Sequence, residues 1–385
     1  MQVDIYFYLD KSSKRKRDFQ QFQAEAGTNL HAILKHGPTR WLSLSNCIIR
    51  LLEQWEPLKA YFAAEHANLK ASQRDSLRNT RVIRVHSFFS SVCSKLYCLF
   101  LKENLAIFIN ANLQLQTEAP QIHNMLKRLD EVVADLLVRF VKPEAITAAP
   151  TIFKVPFREH ASQKKRQDLL LGESVRVHLE GLKKENLISS EQQDSFSRDV
   201  RAFFSEATSY ILEKFPLKDK VLHNLQVLDV QDRQNSTISM VNALLEKFPC
   251  LLEQHEKESV NIEFAKFQIE SFSTDILQTE RVDRQWHLIS QLKLQDGRPK
   301  YPCLSKFMKG LCCLPHSNAD SERIFSMVRK NQTVFRSSLS TTTLSALLVQ
   351  KVNMASTGVP CHQQEFSPSL VAKARRAYAL SLKDH

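Results

Sequence analysis

Ile122-His-Asn-Met-Leu-Lys-Arg-Leu-Asp-Glu-Val-Val-Ala-Asp-Leu-Leu-Val-Arg-Phe140 sets apolar side chains at positions 122, 125, 126, 129, 132, 133, 136, 137 and 140. Steps of three and four put all of these on one side of an α-helix, and the strict alternation of a half-buried strand is missing. Pro143 follows and stops the pattern, because proline lacks the N–H that a helix interior needs. Working outward, the same spacing recurs. Val82 to Phe108 is denser (Val85, Phe88, Phe89, Val92, Leu96, Leu99, Phe100, Ile107), as expected of a segment at the centre of a bundle. Leu42 to Phe62 carries Leu44, Ile48, Leu51, Leu52 and Trp55, with Pro57 marking the end of one helix and the start of another. Phe196, Val200, Phe203, Phe204, Ala207, Tyr210 and Ile211 form a further stripe ended by Pro216, and Leu222 to Val230 restarts it. Only 7 of 385 residues are glycine, too few to supply the positive φ angles of many tight β-turns. The expected fold is mainly α, a helical bundle.

Composition places the chain among globular proteins, with 43% hydrophobic and 24% charged residues. Its formal charge of +12 favours polyanions wherever it gathers on one face. Lys14-Arg-Lys-Arg17 and Lys164-Lys-Arg166 are the densest basic runs. Each reads as a nuclear-import signal, as a phosphate contact or as a solvated helix face, and the last is the usual fate of such runs. The eight cysteines form no C-x-x-C pair and read as reduced, mostly buried thiols. Cys313-Leu-Pro-His316 has one metal-like spacing but no second pair to complete four ligands, so no metal and no cofactor are expected. No apolar stretch approaches the roughly 20 residues needed to span a bilayer. Neither a membrane nor a small-molecule substrate is an expected partner.

Near the C-terminus stands Leu314-Pro-His-Ser-Asn-Ala-Asp-Ser-Glu-Arg-Ile-Phe-Ser-Met327, followed after a polar stretch by Leu344-Ser-Ala-Leu-Leu348. Ser317 can cap the helix that follows, with Asp320 three residues on as the acidic half of a capping box and Glu322 beside the positive end of the helix dipole. This block, from Gly297 to Met354, resembles the C-terminal dimerisation region of hAT-superfamily transposases. Thr39-Arg40-Trp41-Leu42-Ser43, ahead of a long amphipathic helix, resembles the Arg-Trp motif at the front of that family's helical insertion domain.

The resemblance implies a division into an N-terminal helical part of the insertion domain over 1–145, a linker over 146–167, a C-terminal helical part over 168–296 and the dimerisation region over 297–385. It also implies that the last region supplies the closing helices of a truncated RNase H-like domain. In the family, three carboxylates hold the divalent metal that activates the attacking oxygen during phosphoryl transfer, and Glu322 matches the third. The first two precede the Arg-Trp motif, where this sequence offers only Asp4, Asp10 and Asp18, none followed by the expected Cys-x-x-His. A BED-type zinc finger is likewise not found. Without its partners, Glu322 is read as a charge at a helix start, and no catalytic residue is assigned.

The expected function is that of a catalytically inactive, transposase-derived protein, not an enzyme, acting in the nucleus as a homodimer or with a partner protein. Ile324, Phe325, Leu344, Leu347 and Leu348 are the expected dimerisation residues, since by resemblance they would otherwise cover a sheet. The alternative is a non-catalytic DNA-binding protein using a basic surface with Arg40 and Trp41. An indole at position 41 can stack on an unpaired base or serve as a core anchor, and the sequence leaves both open.

Overall fold

The computed structural model describes residues 1–37, 41–69, 77–333, 336–356 and 359–381. Among them are nineteen α-helices and two isolated antiparallel bridges, Val141 with Gln163 and Lys293 with Pro299, so the mainly α expectation holds. The chain forms two compact units, Met1–His316 and Ser317–His385.

The first unit is built on three hydrophobic clusters strung along the sequence. The N-terminal cluster gathers α1 (Gln2–Asp10), α2 (Ser13–Glu25), α3 (Trp41–Glu53), α4 (Trp55–Ala67), α5 (Leu77–Ser90) and one side of α6 (Val92–Leu115). Its centre is aromatic: Trp55 meets Phe89 edge-on at 4.9 Å, and Tyr61 packs between Phe19, Phe22 and Phe62. Pro57 sits in the first turn of α4, where its missing N–H costs nothing. The dense run from Val82 is two helices rather than one. Ser91 adopts extended dihedrals between α5 and α6, and Ser90 turns its hydroxyl back onto the His86 carbonyl, so two adjacent serines break what apolar spacing alone would continue.

Helix α6 is apolar on opposite sides, which is why it reads as central. Cys98 and Leu105 face the first cluster, while Leu96, Phe100 and Ile107 face the second. That second cluster adds α7 (Met125–Phe140), α8 (Pro143–Thr147), α9 (Glu173–Lys184) and α10 (Ser190–Lys214). Helix α10 opens with a full capping box, the Ser189 hydroxyl accepting from the Gln192 N–H and the Gln192 side chain accepting from the Ser189 N–H.

Residues 146–167 hold short 3-10 turns and cover the second cluster with Val155 and Phe157, both buried. The third cluster takes Ile122 from the 3-10 turn before α7 and Leu126 from its first turn, and adds α11 (Lys220–Asn224), α12 (Ile238–Lys247), α13 (Gln254–Gln268), α14 (Thr274–Leu277), α15 (Val282–Ser290) and α16 (Pro302–Cys312). Trp286 is fully buried there, its indole N–H donating to the Leu228 carbonyl at 2.9 Å. Thus α6 and α7, each shared by two clusters, join three cores in series.

The second unit holds α17 (Ala319–Asn331), α18 (Thr341–Ser356) and α19 (Pro368–Ser381).

Candidate dimerisation surface

Helix α17 begins one residue later than a Ser317 cap requires. Asn318 occupies the cap position without a side-chain cap bond, and the Ser317 hydroxyl accepts instead from the Ala319 N–H at 3.3 Å. Asp320 and Glu322 still fall in the first turn, where the helix dipole favours negative charge. Asp320 pairs with Arg323, and Glu322 is exposed. Among the described residues, no group of three or more His, Cys, Asp or Glu side chains is arranged to hold a metal ion. Cys313 is exposed and points its thiol at the Lys309 carbonyl.

The helix pair α17–α18 has an unusual distribution of burial. Its one buried side chain among the described residues is polar: Asn331, 8% exposed, donates to the Met327 carbonyl at 2.7 Å and accepts from Lys351 Nζ at 2.8 Å. This clasp ties the end of α17 to the middle of α18. The apolar residues lie further out. Phe325 is 65% exposed, Ile324, Leu344, Leu347 and Leu348 are only half-buried, and Val349 and Val352 are exposed. The sequence singled out the first five and missed Val349 and Val352, which prolong the apolar run of α18 by a turn. The Asn331–Lys351 clasp carries no sequence signal, because nothing local pairs an asparagine with a lysine twenty positions away.

The other expected site fares differently. Arg40 lies outside the described residues, and Trp41 opens α3 with its side chain outside them as well. The basic runs are partly consumed by the fold. Arg15 donates to the Tyr8 carbonyl at 2.8 Å with its guanidinium over the Tyr8 ring, and Lys16 pairs with Asp10. Lys14 and Arg17 stay exposed. In the second run, Lys164 Nζ donates to the Val138 carbonyl and Arg166 pairs with Asp194 at 2.7 Å, leaving Lys165 outward. No helix of the described residues is long and apolar enough to cross a membrane.

Compared with known proteins, residues 272–354 match the family described as the hAT family C-terminal dimerisation region. No curated protein and no solved structure matches the chain. The match starts upstream of Gly297, where the sequence resemblance begins. Its first part is α14 to α16, whose Trp286, Leu304, Phe307 and Leu311 are fully buried core of the first unit, and its last part is α17 and α18, where Phe325, Val349 and Val352 are exposed. Residues 272–354 thus carry the hAT family's C-terminal dimerisation region, which supports an hAT-superfamily, transposase-derived origin for this part of the chain.

Proposed function

We propose that this chain is a catalytically inactive, transposase-derived protein that works in the nucleus by self-associating through α17 and α18. The observation that carries the proposal is the apolar exposure of that pair, Phe325 at 65% with Val349 and Val352 also exposed and Ile324, Leu344, Leu347 and Leu348 only half-buried, inside a segment matching a dimerisation region. Large apolar side chains left exposed on a folded unit are the kind of surface that interaction sites use. A two-fold dimer is the simplest occupant, because the same patch then serves both partners.

Catalytic inactivity belongs to the same reading. Glu322 is a solvent-exposed first-turn residue whose carboxylate suits the helix N-terminus, a role that needs no metal. Light scattering on material eluting from a sizing column tests the proposal. A mass near twice 44.4 kDa supports it, and a mass of 44.4 kDa across the micromolar range refutes it.

The net charge of +12 and the exposed Lys14 and Arg17 favour a second reading, non-catalytic DNA binding with Arg40 and Trp41 at the contact. It requires an affinity that falls steeply with salt as counterions are released, and loss of binding in Trp41→Ala. No binding to duplex or single-stranded DNA at low salt ends it.

A further inference from the structure

A groove of about 990 Å³ opens in the first unit, between the end of α7, the strip 165–172, α9 and the start of α10. Its floor is held in place by named contacts. The fully buried Asn104 of α6 donates to the Leu171 carbonyl at 3.1 Å, and the Leu170 N–H donates to the Arg139 carbonyl at 3.0 Å. This pins residues 169–171 as an extended strip with Leu169 turned inward and Leu170 outward, 48% exposed.

The groove's charges divide into satisfied and unsatisfied. Arg166 is neutralised by Asp194 at 2.7 Å, and Arg176 by Glu173 and Glu180 at 2.6 and 2.8 Å. Arg139, Lys165 and Lys183 also line the groove, and none of them has an ion-pair partner among the described residues. The Arg139 Nε–H is moreover buried with no acceptor. For a guanidinium that lines a groove without an ion-pair partner, a carboxylate is the acceptor whose geometry fits best.

The geometry points to a docking site for an acidic peptide segment bearing an apolar anchor. Carboxylates meet Arg139, Lys165 and Lys183, and a leucine-like side chain lies against Leu170 and Leu179. Nucleic acid fits less well. No aromatic side chain lines the groove to stack a base. Helix α19 is no better suited, since Lys373, Arg375 and Arg376 make it basic.

The test uses the full chain and fluorescence anisotropy with a labelled peptide, Glu-Asp-Leu-Glu-Asp-Leu-Glu-Asp. Its lysine-for-acid counterpart and a single-stranded oligothymidylate serve as competing probes. Saturable binding of the acidic peptide is expected, weakened about tenfold or more by Lys165→Glu and by Lys183→Glu. Lys14→Glu in α2, outside the groove, leaves it unchanged. Both groove lysines are exposed, so these variants are expected to keep wild-type circular dichroism and to report on binding rather than folding. The inference is overturned if the acidic peptide does not bind, if its binding ignores both groove substitutions, or if the oligothymidylate displaces it through those same lysines.

Discussion

Phe325→Ala is the perturbation with the largest effect worked from the structure. A phenylalanine side chain buries about 150–250 Å² when fully covered, and Phe325 is 65% exposed. Roughly 130 Å² thus remains to be covered, worth about 3 kcal/mol per protomer at about 25 cal/mol per Å². Two-fold symmetry counts it twice, giving an upper bound of about 6 kcal/mol per dimer. Ordering of side chains and imperfect desolvation subtract from this, so the expected loss is about half, near 3 kcal/mol, or roughly 150-fold in the dimer Kd. The protomer itself should change by less than about 0.5 kcal/mol, since truncating an exposed side chain opens no cavity. Sedimentation equilibrium of wild type and variant measures the Kd, and urea unfolding at high dilution measures the protomer. A variant Kd within about threefold of wild type would refute the placement of the interface on α17.

Gly172 has a φ of +102°, and a Cβ there would stand 2.7 Å from Glu103 Cγ, while the Glu103 carboxylate is held by Ser174. Gly172→Ala should therefore cost about 1–3 kcal/mol in urea unfolding, and an unchanged midpoint would contradict the strain. Burial pushes the Cys98 and Cys312 thiols up to about 12, and the thiolate is the reactive form. At mildly alkaline pH iodoacetamide should label exposed Cys250 and Cys313 first; mass spectrometry showing Cys98 or Cys312 labelled as fast would count against that burial. Burial acts to raise the Glu270 pKa, but Lys300 Nζ at 2.5 Å and the Tyr301 hydroxyl at 2.8 Å outweigh it and hold the value below the ordinary 4.5. A depressed carboxylate pKa contributes stability that is full above the unfolded value and lost as pH falls through the folded one. The urea-midpoint gap between wild type and Glu270→Gln should therefore narrow from about pH 6 to about pH 3, and a gap that widens on acidification would reverse the sign.

Helix positions were legible because burial enforces the three-and-four spacing. The stripe from Leu126 to Phe140 is read directly from sequence, and the Pro57, Pro143 and Pro216 boundaries follow from a missing N–H. What sequence hid was decided by single side chains or by distant ones. Ser90 and Ser91 split one apolar run into α5 and α6, and Asn318 displaced Ser317 from the cap of α17. The part of the dimerisation region upstream of Gly297 was missed because α14 and α15 have ordinary core patterning. The groove draws on residues 139, 165 and 183, which only the extended strip pinned by Asn104 brings together.

Hydrogen–deuterium exchange at two protein concentrations, one below and one above the dimer Kd, tests the central claim most directly. Self-association through the C-terminal helices predicts that amides of 319–331 and 341–356 gain protection on concentration and that those of α1 to α13 do not. Protection gained only within 1–316, or at no position while the mass doubles, would contradict it.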